Sequence, residues 1–419
     1  LTALPRGTEK CYAPEIAFDK NGRLKFLFIG LAGLGNNPTG AFLVTATPDG
    51  YSTPRRVLGP ERYMVRMAID PEIGAMGRLY LVWLQAGADP PVGGLAQADN
   101  PIMSAFSDDG GKTFSEPVRV SAPSRMRAVA PALALGPQGS VHVAYYDLEE
   151  DFRDYQGVEG PTWEGKWSLV VSSSRDGGRS FDKGVVVNSG LAPPERVMLI
   201  YTMPPPALAT DGQGRLFSAW HDARNGDWDA FLSRSSDGGR SWSSPVRLND
   251  DDLRNGRHQH MPRLSASPNG RLDAIFYDRR SDAANQKADV YLTSSFDKGR
   301  TFTGNIKVTG EPSDTQVGPR YPIVSATGLV EFGSRIALFS KPEIAMAAWT
   351  DTRNSAFDGF QQEIYATQIR FPRPETSSGP PWVAGGAGAL VLLGGWLVWR
   401  KKQSTRRVGY SNVPASATQ

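Results

Sequence analysis

The chain has 419 residues and a formal net charge of +3, but its positive surplus lies in the C-terminal tail. Five of the 46 Lys and Arg residues and none of the 43 Asp and Glu residues follow Thr376, which leaves 41 basic against 43 acidic residues before it, a net charge of −2. This balance excludes the basic surface typical of nucleic-acid-binding proteins. The single cysteine, Cys11, excludes an internal disulfide.

A repeated pattern extends from the N-terminus to about residue 371. Six segments each read as strand, Gly-containing turn, strand, loop and third strand, and 45 Gly and 32 Pro residues suit such a series of short strands. The segments begin near Pro14, Val65, Pro131, Pro206, Pro262 and Pro322. Six four-stranded units predict an all-β, six-bladed β-propeller, which is one domain because a single blade cannot bury its own faces.

An eight-residue pattern, Ser-x-Asp-x-Gly-x-Ser/Thr-aromatic, occurs four times within these repeats. The copies begin at Ser107, Ser174, Ser235 and Ser295, which are 67, 61 and 60 residues apart. The Asp carboxylate can accept backbone N–H bonds from its own turn, and Gly supplies the positive φ that the turn needs. Each copy is therefore predicted to be a turn that joins the last two strands of a unit.

These turns resemble the Asp boxes of the sialidase superfamily, which join the third and fourth strands of propeller blades. A fifth copy, residues 47–52, is degenerate, and the last repeat has none. The resemblance covers nearly all of residues 1–371 at the level of the fold. It implies that the boxes are structural and that they lie on the face opposite the active site.

The same resemblance implies where catalytic residues would lie. Sialidases hold the substrate carboxylate with three Arg residues, use a Tyr paired with a Glu as nucleophile and use an Asp as acid and base. One of these Arg residues stands two positions before a Pro at the start of an innermost strand. The equivalent positions here are Tyr12, Tyr63, Val129, Pro204, His260 and Arg320. Arg320 is thus a candidate carboxylate contact and Tyr321 a candidate nucleophile, whereas the first repeat lacks the Arg.

Tyr12, Tyr63, His258 and His260 are further candidate ligand contacts on this face. His258 and His260 flank Gln259, so their side chains point the same way in a strand. A metal site would need a third ligand, and we predict central hydrogen bonding for the pair and no metal. His142 lies within a strand pattern and is predicted to be packed. No nucleotide or redox motif occurs, so no cofactor is predicted.

The loops after three second strands share an Asp-x-Arg sequence, at Asp222 to Arg224, Asp278 to Arg280 and Asp351 to Arg353. A functional interpretation makes Arg224, Arg280 and Arg353 contacts for a carboxylate or a sugar. The alternative is an ion pair within each loop that shapes the turn, and its recurrence in three blades favours this alternative.

Two loops are longer than the others, residues 85–101 and 147–166. The second contains acidic and aromatic residues that can act as general acids, stack on sugars or bind Ca²⁺, although a solvated insertion fits equally well. These residues are Asp147, Glu149, Glu150, Asp151, Asp154, Tyr155, Glu159, Trp163 and Glu164. The run from Asn249 to Asp252 is predicted to be a solvated turn between blades.

The C-terminal part carries the features of a membrane anchor. Residues 372–381 form a Pro-, Ser- and Gly-rich stalk, and residues 382–399 are an uncharged run with Trp382 and Trp399 at its ends. This run is long enough to span a bilayer as a helix, and the basic residues in 400–419 predict a cytoplasmic tail with the propeller outside. The sequence from Arg373 to Ser377 also resembles a cell-wall sorting signal, with two departures in five positions.

The absence of an initiator Met suggests a removed leader, and export without disulfides favours a bacterial source. Three functions are compatible with these features. The first is a surface-anchored, sialidase-like propeller that binds a glycan or protein ligand on its central face without the full set of sialidase residues. The second is an exo-sialidase or related retaining glycosidase, and the third is a scaffold that docks a partner in the cell envelope.

Overall fold

The computed structural model describes residues 4–33, 37–85, 99–151, 166–192, 204–317, 336–354 and 362–372. These residues form six antiparallel sheets in which each strand pairs mainly with its neighbours in sequence. They belong to one compact unit that ends at Pro372. The all-β, six-bladed propeller that the sequence predicts is therefore confirmed.

The strands follow the repeats along the chain. The first sheet contains β1 (Lys10–Phe18), β2 (Leu24–Ala32), β3 (Asn37–Thr47), β4 (Gly50–Tyr51) and β5 (Arg55–Leu58), and the second contains β6 (Arg62–Asp70), β7 (Arg78–Gln85), β8 (Ile102–Ser107) and β9 (Val118–Arg119). The third contains β10 (Ala128–Leu135), β11 (Val141–Asp147), β12 (Trp167–Ser174) and β13 (Val185–Leu191).

The remaining three sheets have the same order. The fourth contains β14 (Ala207–Thr210), β15 (Leu216–Asp222), β16 (Asp229–Ser235) and β17 (Val246–Arg247). The fifth contains β18 (Gln259–Ala266), β19 (Leu272–Asp278), β20 (Lys287–Ser295), β21 (Ile306–Lys307) and β22 (Ser313–Asp314), and the sixth contains β23 (Ala337–Lys341), β24 (Ile344–Asp351) and β25 (Glu363–Arg370).

The first strand of each sheet is the innermost. Strand β6 lies beside β1 and β10, β14 lies beside β10 and β18, and β23 lies beside β18. The hydrophobic core fills the spaces between successive sheets, because side chains alternate between the two faces of a strand. In the largest cluster, Val82, Trp167 and Trp220 are fully buried and come from the second, third and fourth sheets.

The four Asp boxes join the third and fourth strands of blades two to five, as predicted. In blade four, the Asp237 carboxylate accepts hydrogen bonds from the backbone nitrogens of Arg240 and Ser241, both at 3.0 Å. The hydroxyls of Ser235 and Ser241 donate to it at 2.7 and 2.6 Å. Burial alone would raise the pKa of Asp237, but the hydrogen bonds from Ser241 and Ser235 outweigh it and lower this pKa to about 2.

The box glycines also contact the preceding blade. The carbonyl of Gly177 accepts a hydrogen bond from Arg78 Nη1 at 3.0 Å, and the carbonyl of Gly110 accepts one from Lys25 Nζ at 3.1 Å. Gly177 has a φ of +74°, where a side chain would be strained. The boxes are thus structural parts of the contacts between blades.

The last repeat differs from the prediction. The innermost strand of the sixth sheet, β23, begins at Ala337 and not near Pro322. Strand β24 is the second strand, since it ends at Asp351 just as β15 ends at Asp222. The alignment on Pro residues was wrong here because β23 contains no Pro. Residues 318–335, including Arg320 and Tyr321, lie outside the described residues.

The first and last blades expose more apolar surface than the others. Ile16 and Phe18 on β1 are 64% and 61% exposed, and Phe339, Met346 and Ile364 in the sixth sheet are 53%, 47% and 75% exposed.

Within the described chain, no fourth strand pairs with β25. The four-stranded prediction therefore holds for sheets two, three and four, while the first and fifth sheets carry an additional short strand.

The predicted anchor is not part of this description. Apart from Pro372, the stalk, the span at 382–399 and the tail lie outside the described residues. Within the ranges that the structure does describe, no helix is long and apolar enough to cross a membrane.

Candidate functional site

Four of the innermost strands share a β-bulge at their first residues. The pairing register shifts between Tyr12 and Glu15 in β1, and the same shift occurs in β6, β10 and β18. The residue within each bulge has a positive φ, of 55° at Ala13, 51° at Met64, 54° at Ala130 and 54° at Met261. A bulge adds one residue to a strand and changes the direction of the side chains beside it. We call the end of the propeller where these innermost strands begin the central mouth. Residues on both sides of the bulges lie at this end.

The predicted contacts Tyr12, Tyr63 and His260 lie immediately before three of these bulges. Tyr12 and Tyr63 are half-buried and pack against the clusters between blades one and two and between blades two and three. Burial, reinforced by the charge of Glu61, raises the pKa of Tyr63. Tyr63 is therefore protonated at neutral pH.

Two arginines lie immediately after the bulges and connect neighbouring blades. Arg66 in β6 donates from Nη1 to Glu15 Oε1 at 2.8 Å and from Nε to the carbonyl of Pro131 at 2.9 Å. Arg263 in β18 donates from Nε to the carbonyl of Ile336 at 3.2 Å and from Nη1 to that of Pro205 at 3.1 Å. Each guanidinium therefore joins its own innermost strand to both neighbouring blades and brings a positive charge to the central mouth.

Rings from blades four and five lie near Arg263. His260 stacks on Tyr277, with their ring centroids 5.4 Å apart. His221 and Trp228 form a second pair, also at 5.4 Å. The backbone nitrogen of Trp228 donates to Nδ1 of His258 at 3.4 Å, so His258 is joined to the same group. The structure thus brings His258 and His260 together with His221, Trp228 and Tyr277.

Burial keeps the rings of His221, His260 and Tyr277 uncharged at neutral pH. It lowers the pKa of His221 to about 4, with a smaller contribution from the charge of Arg263. It lowers the pKa of His260 well below its usual range, helped by the charge of Arg279. Burial also raises the pKa of Tyr146 and of Tyr277. At neutral pH the mouth therefore combines neutral hydrogen-bonding rings with the fixed charges of Arg and Glu.

Tyr277 is bonded to the neighbouring blade. Its hydroxyl accepts a hydrogen bond from the backbone nitrogen of Thr350 at 3.1 Å and donates to the carbonyl of Thr350 at 3.4 Å. A nucleophilic tyrosine needs a hydroxyl that can approach the substrate. Tyr277 therefore serves as a packed ring that supports His260.

The Asp-x-Arg loops form the internal ion pairs that the structural interpretation predicts. Arg224 pairs with Asp222 at 2.5 Å, Arg280 with Asp278 at 2.8 Å and Arg353 with Asp351 at 2.6 Å. The three guanidinium groups also lie 4.6, 4.3 and 4.4 Å from the ring centroids of Phe231, Tyr291 and Tyr365 on the third strands. Arg224 and Arg280 also reach across to Asn188 at 2.8 Å and Asp250 at 2.6 Å, which precede their own blades. A role of the three arginines in ligand binding stays a prediction.

Acidic residues of the long loop at 147–166 have structural partners. Asp147 pairs with Arg125 at 2.5 Å, and the buried Asp151 accepts a hydrogen bond from Trp167 Nε1 at 3.0 Å. Glu149 and Glu150 are exposed, and Glu149 accepts a hydrogen bond from Ser168 Oγ. The remaining predicted residues of this loop, from Asp154 to Glu164, lie outside the described residues. No group of His, Cys, Asp and Glu suited to a metal ion is found in the described part of the chain.

The solvated turn predicted at Asn249 to Asp252 is wrong for Asn249, which is buried, and for Asp251, which is half-buried, whereas Asp250 and Asp252 are exposed as predicted. Asn249 is buried, and its Nδ2 lies 2.6 Å from both Asp229 Oδ1 and Gln259 Oε1. Asp250 accepts hydrogen bonds from Asn305 N at 2.8 Å and from Arg280 Nη1 at 2.6 Å, while Arg247 pairs with Asp251 at 3.1 Å. Arg280 is 30 residues away from Asp250, so the sequence alone does not reveal this contact.

Sequence reasoning missed Arg66, Arg263, Glu15, His221 and Tyr146. A signal for three of them was present, since Glu15, Arg66 and Arg263 each directly follow the aligned Pro or Val of their repeat. His142, by contrast, is packed as predicted, with Nδ1 2.8 Å from Ser173 Oγ near the opposite face.

Comparisons with known proteins support the fold. A search against family models gives no match, and neither does a search of curated protein sequences. Among solved structures, the Hadza microbial sialidase Hz136 is similar over 87% of this chain and 66% of its own, just under two thirds of its length, with 13% identity and a TM-score of 0.53. An ulvan lyase, of polysaccharide lyase family PL25, is similar over 86% of this chain and 82% of its own, with 12% identity and a TM-score of 0.50. The chain therefore has a sialidase-like propeller fold.

Proposed function

We propose that the propeller binds a carbohydrate at the central mouth, where the innermost strands begin. The observation that carries this proposal is the convergence of His221, His260, Tyr277 and Trp228 beside Arg263. Flat rings stack on the apolar faces of sugars, and neutral imidazoles exchange hydrogen bonds with hydroxyls. An arginine adds a planar fork for a carboxylate.

The charge pattern favours a sugar that carries a carboxylate. Arg66 and Arg263 bring two guanidinium groups to this end of the propeller, where Arg66 pairs with Glu15 at 2.8 Å and Arg263 donates to the backbone carbonyls of Ile336 and Pro205. A guanidinium offers a planar fork to a carboxylate. The ligand class we propose is therefore an acidic glycan, and the two structural neighbours named above, a sialidase and a polysaccharide lyase by their titles, are consistent with it.

A hydrolytic function is the second candidate. The sequence from Pro319 to Pro322 resembles the sialidase phrase, so Arg320 would hold a carboxylate and Tyr321 would act as nucleophile. The first blade has Tyr12 where the family has an arginine, which weakens the substrate grip that such catalysis needs. We therefore propose binding without turnover of an α-sialoside.

The propeller is also proposed to be anchored at the cell surface. The uncharged run between Trp382 and Trp399 would span the membrane, and the basic tail after it would stay in the cytoplasm. An acidic glycan outside the cell would then be accessible to the central mouth.

Binding of defined oligosaccharides to the purified full chain tests the proposal. The probes are a uronic-acid oligosaccharide, a sialylated one and a neutral one of the same length. We expect the His260→Ala variant to lose most of the affinity for the acidic probes, while His142→Gln, at the opposite face, retains it. Equal binding by both variants would place the ligand elsewhere, and no binding by the unaltered protein would favour the envelope scaffold.

Turnover is tested with a fluorogenic α-sialoside. We expect no release of the leaving group by the unaltered protein. Release that is lost in Tyr321→Phe would instead establish the sialidase alternative.

A further inference from the structure

We propose that the face carrying the Asp boxes is a docking surface for a membrane of anionic phospholipid. The residue before the Ser or Thr of every box is basic, namely Lys112, Arg179, Arg240 and Arg300 in blades two to five. All four side chains are exposed. The same turn recurs in four consecutive blades, so these positive charges are distributed along one face of the propeller.

The acidic residues of this face are engaged within their own turns. In blade five, for example, Asp297 accepts hydrogen bonds from the backbone nitrogens of Arg300 and Thr301 at 2.9 Å and from Thr301 Oγ1 at 2.6 Å. The four boxes, residues 107–114, 174–181, 235–242 and 295–302, together hold six basic and five acidic residues. They are therefore net positive by one charge, whereas the chain before the tail is net negative.

Two exposed aromatic side chains accompany the charges. Phe296 stands between Ser295 and Asp297 in the box of blade five and is 66% exposed. Tyr51, in the degenerate box of blade one, is 63% exposed. Aromatic side chains are enriched at the interface between membrane and water, where basic residues contact the headgroups. A surface that offers both fits an anionic bilayer better than it fits a soluble anion.

The chain also leaves the propeller on this face. Strand β25 is antiparallel to β24, with Arg370 opposite Ile344 beside the turn that joins β23 and β24. The backbone nitrogen of Phe371 donates to the carbonyl of Glu343 in that turn at 2.8 Å. In a meander of antiparallel strands, this turn lies at the same end as the turns between third and fourth strands. Phe371 therefore lies at the Asp-box end of the sixth sheet.

With the boxes toward the lipid, the central mouth faces away from the membrane and toward external ligands. The docking surface thus differs from the carbohydrate site and does not depend on it.

Cosedimentation with lipid vesicles tests this surface. The unit that ends at Pro372 contains all five hydrophobic clusters and so carries its own core, which allows it to be tested without the predicted span. We expect it to bind phosphatidylcholine vesicles that contain phosphatidylglycerol and not vesicles of phosphatidylcholine alone. Each basic residue near an anionic surface changes the partition coefficient by about fivefold, and added salt should weaken the binding.

The decisive variant replaces Lys112, Arg179, Arg240 and Arg300 with Gln. It should lose binding by at least tenfold, whereas a control with Lys10, Lys166, Arg254 and Lys287 changed to Gln at the opposite ends of the strands should bind as the unaltered protein does. Thermal unfolding checks that both variants are folded. Equal loss in the two variants, binding to phosphatidylcholine alone or no binding by the unaltered unit would each overturn the proposal.

Discussion

The strongest single contribution to stability that we predict comes from Arg271, which connects blade five to blade six. Its side chain and that of Asp273 are 1% and 0% exposed, and Nε and Oδ1 are 2.9 Å apart. Arg271 also donates to the carbonyls of Lys341 at 2.9 Å, Pro342 at 2.7 Å and Ile344 at 3.3 Å in the β23–β24 turn. Substitution by Met would keep much of the volume and remove every one of these bonds.

The cost of Arg271→Met follows from what it leaves behind. Asp273 would keep its bonds from Ser294 and Ser340, both at 2.6 Å, but its buried charge would have no cation. Removing one partner of a buried ion pair costs about 3–5 kcal/mol. A two-state propeller of this size has an unfolding entropy of roughly 0.8 kcal/mol/K, so Tm should fall by about 4–6 °C.

Differential scanning calorimetry on the full chain measures this shift. The matched control is Arg23→Met, since Arg23 occupies the same turn in blade one and is 44% exposed while pairing with Asp19 at 3.0 Å. It should cost less than Arg271→Met, because the Arg23 end of the pair is exposed and Asp19 keeps its bonds from the backbone nitrogens of Asn21 and Arg23, both at 3.0 Å. The double variant Arg271→Met with Asp273→Leu should recover part of the loss. A Tm for Arg271→Met that equals that of Arg23→Met would refute the reasoning.

Three further predictions concern pH, a turn and topology. Burial lowers the pKa of His142 from 6.5 to about 4. The stabilisation from its neutral form is therefore complete above pH 6.5, and up to about 3 kcal/mol of unfolding free energy is lost as the pH falls to 4. In His142→Gln the urea midpoint should depend less on pH over this range. A pH dependence equal to that of the unaltered protein would contradict the prediction. Asp237→Ala should cost about 1 kcal/mol, since water can replace part of the bonding in an exposed turn, and calorimetry that shows no change would mean the box is dispensable. Protease added to intact cells should remove the propeller and leave a small membrane fragment, and a propeller that stays protected would reverse the orientation.

Local features made most of the fold predictable. An Asp box is complete within eight residues, so the donors and acceptors that close the turn of blade four all lie between Ser235 and Ser241. The Asp-x-Arg loops are equally local, because Arg224 pairs with a carboxylate two residues away. Features of this kind can be found in a sequence since they need no information about distant strands.

The central mouth was less predictable because its contacts join different blades. Arg263 is bonded to Pro205 and Ile336, which are 58 and 73 residues away. The network around Asn249 likewise depends on Arg280 and Asn305 from the next blade. The sequence alignment also misplaced the start of the last blade. Strand β23 contains no Pro, and only its pairing with β24 identifies it as the first strand of this blade.

The repeated bulge separates two kinds of position in the innermost strands. Before the bulge stand Tyr12, Tyr63, Val129 and His260, which differ in size and hydrogen bonding. After it come the residues that join the blades, such as Arg66 and Arg263. Because the extra residue absorbs a local change of backbone direction, a substitution before the bulge need not disturb the register below it. The mouth can therefore be redesigned for new ligands one blade at a time, as the loops of an antibody are changed on a constant framework.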